Sequence, residues 1–339
     1  MYVINAKNVN YALQAALQQL VASGMNAPSR NGPVRFLPVP CTTVYERPWQ
    51  RVLFSQVRDA NPFFHLFEAL WMLAGSNQLA PLTHYVKRFS EFSDDGETLH
   101  GAYGYRWRNH FDTDQLETVI DMLERDKTTR RVVLAMWDPV ADLGRNAKDI
   151  PCNTQVYFSA ATGALDMTVL CRSNDAVWGA YGANAVHFSL LQEFIAGAVK
   201  IPVGRMWQMS NNLHVYSERP DVARLYEHIV NGGSLCEDFY DTKLVRSIGM
   251  YEGVQRMTGR AYLDFIDEFV ADPQGFQGDV PFLSFVAKPL AVAHQRYKDG
   301  DFDGAMSALN IVTNDWHFAG RRWLQLRKKG KETSREDVR

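Results

Sequence analysis

Ile150–Phe158 reads I-P-C-N-T-Q-V-Y-F, and its reading decides how the middle of the chain folds. Pro151 fixes φ just before Cys152, and Gln155–Ser159 predicts a strand. A second strand over Ala164–Leu170 follows A-A-T-G, so the two predict a hairpin with a thiol on the stiff corner where the chain enters a sheet. The hairpin runs out into L-C-R-S-N-D at Leu170–Asp175, which offers a guanidinium, a hydroxyl and a carboxylate. A soft nucleophile beside the anion-binding pair Arg172 and Ser173 points to attack on a phosphorylated substrate. A nearby cation also favours the thiolate over a thiol that otherwise titrates near ~8.5. The competing account of Cys152 is packing alone, since free cysteine is among the most buried residue types. The polar residues around it count against that account.

Upstream of this corner, Met1–Asn5 predicts a short strand and Asn8–Ser23 a helix stopped by Gly24. N-A-P-S-R-N-G-P at Asn26–Pro33 is a loop whose Arg30 has the setting of a phosphate grip, though a lone loop arginine is ordinarily just solvated. Val34–Tyr45 predicts strand broken at Pro38 and Pro40. Asn61 and Pro62 open an apolar helix as N-cap and first-turn proline. Glu68 lies inside that helix. A carboxylate there needs a partner or a raised pKa, which makes it a catalytic candidate unless it faces solvent. Tyr85–Phe92 predicts a second helix, Asp94–Tyr105 a polar loop leading into G-A-Y-G-Y-R-W, and Thr113–Arg125 an amphipathic helix. Arg130 and Arg131 stand at the start of a strand over Val132–Trp137, either as an exposed basic corner or as a phosphate clamp.

Downstream, Trp178–Ala183 predicts a glycine-containing turn and Ala185–Val199 a long apolar helix, with Asn184 placed to be its N-cap. Val203–Met209 predicts a strand, S-N-N-L-H-V-Y follows at Ser210–Tyr216, and Pro220–Val230 predicts a helix. After Ser234 the pattern turns to plain amphipathic helix: Tyr262–Val270, Leu290–Lys298 and Phe302–Leu326. The charged tail from Lys328 is expected to fray.

A chain of 339 residues with 46% hydrophobic residues can bury a large core, and a formal charge of −2 gives no reason to expect nucleic acid or an anionic membrane as partner. Cys41, Cys152, Cys171 and Cys236 show no metal-ligand spacing, so no metal is expected, and free thiols suit a reducing compartment. With no basic-then-apolar leader and no apolar run of about 18 residues, a cytoplasmic, membrane-free protein is expected.

The motifs together resemble the thymidylate synthase superfamily, which includes the deoxypyrimidine-nucleotide hydroxymethylases. The resemblance rests on the Arg30 loop, F-E-A-L-W at Phe67–Trp71, G-A-Y-G-Y-R-W at Gly101–Trp107, Arg130-Arg131, Pro151-Cys152, R-S-N-D at Arg172–Asp175, Gly179 to Asn184, and L-H-V-Y at Leu213–Tyr216. It implies that Cys152 adds to C6 of a pyrimidine. Arg30, Arg172 and Ser173 would hold the 5′-phosphate, joined by Arg130 and Arg131 from the other subunit of a homodimer. It further implies that His214 and Tyr216 bond the sugar hydroxyl and that Asn184 reads the base. Glu68 would order a proton-relaying water, assisted by Tyr103. Asp175, Trp178 and Gly179 would touch the folate, with Phe89 and Phe92 where the family usually has tryptophans. The co-substrate so implied is 5,10-methylenetetrahydrofolate. The chemistry explains these residue types independently. Thiolate addition at C6 makes C5 nucleophilic, a fixed donor stabilises charge on O4, and a base must remove the C5 proton.

Hydride addition at the end of such a reaction gives a methyl group; water gives a hydroxymethyl group. Asn153 replaces the family's histidine after the cysteine, Phe89 and Phe92 replace indoles, and the chain ends R-E-D-V-R in place of a short apolar closing segment. A wetter site favours water, so the expected reaction converts deoxyuridylate to 5-hydroxymethyl-deoxyuridylate. Thymidylate synthesis and deoxycytidylate hydroxymethylation are the alternatives. The amide of Asn184 matches O4 and N3–H of uracil. Gly179–Asn184 is one residue longer than the family spacing, which leaves Ala183 as the other occupant of that slot. A catalytically dead scaffold or RNA-binding regulator, and a cysteine hydrolase, are rivals from other classes; the hydrolase lacks a recognisable Cys–His pairing. The fold expected is α/β: a mixed sheet with helices on one face and an apolar opposite face against a second copy. Residues 1–233 would form the catalytic domain and 234–339 a helical extension packed on it.

Overall fold

The computed structural model describes residues 1–254, 256–310 and 314–336. The larger of its two sheets has six strands in the spatial order β1 (Tyr2–Ala6), β4 (Cys41–Tyr45), β9 (Val203–Ser210), β7 (Leu165–Cys171), β6 (Asn153–Ser159) and β5 (Val133–Ala135). The β1–β4 and β7–β9 pairs are parallel and the rest antiparallel, so the sheet is mixed as expected. The smaller sheet orders β2 (Met25–Ala27), β3 (Val34–Phe36), β10 (Leu213–Tyr216) and β8 (Asn174–Asp175). The predicted strand over Val34–Tyr45 is thus two strands in two sheets. Its prolines, which cannot donate to a ladder, mark the crossing.

Twelve α-helices surround the sheets among the described residues: α1 (Val9–Ser23), α2 (Pro62–Leu73), α3 (Ala80–Tyr85), α4 (Tyr103–Arg108), α5 (Gln115–Arg125), α6 (Pro139–Asp142), α7 (Asn184–Ala198), α8 (Pro220–Val230), α9 (Gly259–Ala271), α10 (Lys288–Lys298), α11 (Phe302–Ala308) and α12 (Asp315–Glu336). Asn61 caps α2 as the sequence suggests, and Asn8, expected as the first residue of its helix, caps α1. The expected helix over Tyr85–Phe92 is instead the end of α3 and a 3₁₀ stretch over Lys87–Phe92, separated by an extended Val86. The α-helix starts earlier, at Ala80 with Pro81 in its first turn, and ends where the Tyr85 ring stacks on Phe67 and His294. The loop expected through Tyr105 gives way to α4 at Tyr103, and Phe302–Leu326 is two helices rather than one. Ile311–Thr313, between those helices, lie outside the described residues. The tail expected to fray continues α12 to Glu336, and Asp337–Arg339 lie outside the described residues.

Period-2 patterning sets the two faces of the six-stranded sheet. One cross-strand row, Leu134, Val156, Val169, Gln208 and Thr43, is buried throughout beneath a layer that includes α1, α5 and α7. The next row, Val133, Tyr157, Thr168, Trp207 and Val44, is only partly covered, with Val133 47% and Tyr157 37% exposed. Helices therefore sit on one face as expected, and leave the other partly uncovered, where Val133, Tyr157, Trp207 and Val44 alternate with polar Gln155, Asp166 and Thr168.

The helices after residue 233 share the core with those before it. α9, α10 and α12 all pack on α2, whose twelve residues are all buried. Glu193 of α7 ties the same region down, pairing with Arg51 and accepting from the Met250 N–H. The C-terminal helices thus keep water from the helix that carries Glu68. A glycine fixes the other side of α2: a Cβ on Gly104 of α4 would collide with the Met72 carbonyl, so these two helices touch backbone to backbone.

Candidate active site

Cys152 is half-buried at the bend entering β6. Arg172, leaving the neighbouring strand β7, clasps this bend. Its N–H bonds the Cys152 carbonyl at 2.8 Å, its Nε the Pro151 carbonyl at 2.9 Å and its Nη2 the Ile150 carbonyl at 3.0 Å. Nη2 is also 3.7 Å from the sulfur. Arg30 reaches in from its loop to the carbonyls of Ala147 and Lys148 at 3.2 and 3.5 Å. Both guanidiniums are exposed, and the Ser173 hydroxyl makes no hydrogen bond within the described residues, so all three can grip an anion beside the sulfur.

The charge state of the thiol departs from the expectation. Burial pushes the Cys152 thiol above its ordinary value, Arg172 and Arg30 pull it down, and Asp149 pushes it up again. Desolvation of the thiolate outweighs both cations.

Asp149 is a member of the site that the sequence did not single out. It accepts from the Gly101 N–H at 2.8 Å, tying the G-A-Y-G-Y-R-W segment to the cysteine bend. That tie brings Tyr103 close, and its hydroxyl accepts from the Asn153 N–H at 3.4 Å. Burial, then the neighbouring thiols Cys152 and Cys171, raise the Tyr103 pKa well above the usual phenol range. Asn153 is fully buried with its carboxamide beside Tyr103, and neither amide atom makes a hydrogen bond of good geometry. The arginine of the same segment is structural. Arg106, fully buried, forks onto Asp142 at 3.0 and 2.8 Å and onto the His100 carbonyl at 3.0 Å.

Glu68 is buried and has a partner, as its place in an apolar helix required. His187 of α7 bonds it through Nε2 at 2.9 Å, leaving Nδ1 buried without one. His187 lies one helical turn beyond Asn184, so one face of α7 carries both. His65, one turn before Glu68 on α2, is held neutral: burial, Arg58 and His187 lower its pKa to about 3.

The stretch expected to be a turn, Trp178–Ala183, is part of a π-helix over Ala176–Ala183 that runs straight into α7. Asp175 caps it, accepting from the N–H groups of Val177 and Trp178 at 2.7 and 2.9 Å. Asn184 is therefore not an N-cap. A π-turn absorbs one residue more than an α-turn, which accounts for the extra residue before Asn184. With it absorbed, Asn184 faces Asn174 of β8, its Nδ2 donating to Oδ1 at 3.1 Å. Trp178 is 44% exposed, its indole between Arg58 and Arg219 and its Nε1 donating to Asp221 at 2.9 Å.

The smaller sheet sets His214 directly beside Asp175. His214 Nδ1 faces two oxygens of Asn212, Oδ1 at 3.0 Å and the carbonyl at 3.3 Å, so Nδ1 carries the proton and Nε2 is left as an acceptor for a hydroxyl. Tyr216, edge-on to His214, lines a cleft of about 810 Å³ that Arg30 also borders. Arg88, Lys148, Arg219 and Phe92 line it as well. Glu91, Asp94 and Asp221 line it too, with Arg88 paired to Glu91 and Arg219 to Asp221, so Arg30 is a cation left for an anion, while the size and the exposed Phe92 ring suit a flat, drug-sized ring system. Phe89 instead packs against Phe64 of α2, 5.0 Å between ring centres.

Arg130 and Arg131 stand apart. Both are exposed and make no hydrogen bond or ion pair within the described residues. They precede β5, whose Val133 pairs with Tyr157 while Ala135 pairs with Gln155, so they lie at the far end of β6 from Cys152. Seven residues of strand put them roughly 20 Å from the sulfur of their own chain. Among the described residues no three His, Cys, Asp or Glu side chains cluster as a metal site, and no helix is long and apolar enough to cross a membrane.

The thymidylate synthase family model matches residues 57–229, which include Cys152 and most of the groups above. A deoxyuridylate hydroxymethyltransferase of Pseudomonas phage M6 is 45% identical over 337 residues, covering 97% of this chain and 95% of the phage protein. Proteins of the same name are 37% identical over 188 residues in Bacillus phage SP01, covering 52% and 49%, and 30% identical over 230 residues in Delftia phage PhiW-14, covering 65% and 63%.

Proposed function

The chain belongs to the thymidylate synthase family, and from that premise we propose that it hydroxymethylates C5 of deoxyuridine 5′-monophosphate through a Cys152 adduct at C6. It is a one-carbon transferase of that family. The observation that carries the reading is the half-buried sulfur on a rigid bend, flanked by Arg172 and Arg30 with capacity to spare for a phosphate. The names of its phage relatives support the same substrate and product.

Each residue takes one part. Arg30, Arg172 and Ser173 seat the phosphate, and His214 Nε2 and Tyr216 take the sugar hydroxyl. Cys152, as thiolate, adds to C6. Asn184 donates to O4 as charge grows there, and Tyr103 and the water held by Glu68 move the C5 proton. His187 keeps the Glu68 carboxylate in place. Methylenetetrahydrofolate would supply the carbon; Phe92, Asp175, Trp178 and Gly179 are the groups that would hold it, with Phe89 backing the Phe92 ring from its seat against Phe64. The buried, unpartnered carboxamide of Asn153 fits a site that holds a reacting water behind the ring. Product identification tests this directly. Deoxyuridylate and deoxycytidylate are offered side by side with methylenetetrahydrofolate, and mass spectrometry should find 5-hydroxymethyl-deoxyuridylate as the main product. A methyl product accompanied by dihydrofolate absorbance would reverse the reading to thymidylate synthesis.

We also infer a homodimer joined through the bare face of the six-stranded sheet. That face exposes Val133 and Tyr157 beside Trp207 and Val44, among polar Gln155, Thr168 and Asp166, and Arg130 and Arg131 at its edge lie too far from Cys152 of their own chain to grip its phosphate. Arg130→Ala/Arg131→Ala and Cys152→Ser proteins should each be nearly inactive alone. Mixed and refolded together they should recover about a quarter of wild-type activity, because heterodimers contain one site with both features intact. No recovery on mixing would refute sharing. Residues 1–233 form the catalytic unit in this reading, with 234–339 a helical extension packed behind α2.

A further inference from the structure

Asn184 is not a free amide. It donates from Nδ2 to Asn174 Oδ1 at 3.1 Å, and Asn174 donates from its own Nδ2 to the Ser210 hydroxyl at 3.0 Å. Asn174 is 2% and Ser210 3% exposed, so water does not compete for these bonds. The backbone presses on the same pair: a Cβ at Gly179 would lie 2.9 Å from Asn174 Oδ1 and 3.5 Å from Asn184 Nδ2, and the π-turn brings a residue without one there.

A primary amide has one acceptor and two donors, and left alone it can turn over end for end. Here one N–H is committed to Asn174. What remains to face a ligand is one N–H and the carbonyl oxygen. That pair complements a group presenting an acceptor beside an N–H donor, as O4 and N3–H of uracil do. Cytosine presents the reverse, an amino donor beside a bare ring nitrogen. Meeting it would require Asn184 to turn over, which sets its oxygen against Asn174 Oδ1 unless Asn174 and the Ser210 hydroxyl also reverse. Two facing buried oxygens cost a lost hydrogen bond and an unsatisfied acceptor.

Resting on the reading of Asn184 as the base reader, we propose that Asn174 is a specificity-determining positioning residue: anchored by Ser210, it fixes which end of the Asn184 amide faces the pyrimidine and so selects uracil over cytosine. It touches no reacting atom and acts only through Asn184.

The test compares kcat/KM, and dissociation constants by calorimetry, for deoxyuridylate and deoxycytidylate in the full-length protein. Asn174→Leu keeps the volume and removes both bonds; it should lower the preference for deoxyuridylate by about tenfold or more. Asn174→Asp keeps the acceptor toward Asn184, with Ser210 free to donate to the new carboxylate, and should hold the preference at the wild-type level. A structural role alone would not separate these variants by base. The proposal is overturned if Asn174→Leu keeps the wild-type preference, or if Asn174→Asp loses as much of it as leucine does. Should Asn174→Leu fail to fold, Ser210→Ala removes the anchor from the far end and should shift the preference in the same direction; an unchanged preference overturns the proposal. Asn184→Asp is the separate control. If it leaves the preference unaltered, the base-reading role of Asn184 has failed, whatever Asn174 does.

Discussion

Cys152→Ser should abolish turnover, by a factor on the order of 10³ or more, and should leave no covalent adduct detectable by mass spectrometry of the protein incubated with nucleotide and folate. Serine keeps the size of the side chain and the clasp of Arg172, whose bonds go to main-chain carbonyls of Ile150, Pro151 and Cys152 rather than depending on sulfur. The loss would therefore report chemistry and not collapse of the bend. Residual activity within tenfold of wild type would end the covalent mechanism. The same sulfur carries a pH prediction. Burial holds the thiol above its ordinary value despite Arg172 and Arg30, so at neutral pH the protonated form dominates in the free protein. A thiol with a raised pKa yields thiolate only as pH climbs. The rate of Cys152 alkylation by iodoacetamide should therefore keep rising through and beyond the ordinary thiol range. A plateau below that range would mean that the arginines win after all.

The second large effect concerns stability. Asp142→Ala should cost about 3–5 kcal/mol in urea unfolding, because it strips the counter-ion from a guanidinium with no access to water. Arg106 is 0% and Asp142 3% exposed. Around the carboxylate, His100 Nε2 lies at 2.8 Å and the Asp138 N–H at 2.9 Å, so the whole cluster is saturated. Replacing both partners, Arg106→Met with Asp142→Leu, should recover much of the loss, since an apolar pair carries no desolvation penalty. Burial by itself would push the Asp142 carboxyl up, but the bonds from Arg106, Asp138 and His100 outweigh it and hold the carboxyl below its ordinary value. The sign of the linkage follows: this stabilisation is fully present above the unfolded carboxylate pKa and is lost as pH falls through the lower, folded one. Asp142→Ala should therefore flatten the acid limb of the stability profile. An unchanged acid limb, or a cost below about 1 kcal/mol, would contradict the assignment. Because Arg106 shares α4 with Tyr103, activity should fall with stability.

Much of this was legible in the chain itself. The hairpin around Cys152, the long apolar helix after residue 184 and the Asn61 cap follow from neighbours in sequence, where proline geometry, period-2 alternation and short-range hydrogen bonds act. The mixed sheet with one uncovered face was an expectation of the family resemblance carried by the ordered motifs, not of any single stretch. Glu68 could be recognised as a carboxylate that either faces solvent or needs a partner, and periodicity alone left the two open.

The partner itself could not be read. Glu68 and His187 are 119 residues apart, and Arg106 and Asp142 are 36 apart. No local pattern encodes such pairs; they exist because sheet order and helix packing bring distant elements together. The π-turn before Asn184 is likewise invisible to a helical or turn template, since its extra residue differs from an α-helix by one carbonyl in the bonding register. Burial then reversed what charge alone implied for Cys152, because desolvation depends on everything packed around the sulfur and not on the two cations beside it. Residue types and local conformation belonged to the sequence by itself. Which groups meet, how each amide is turned and where each proton rests were decided only by the tertiary structure, since those are long-range consequences of excluding water from a shared interior.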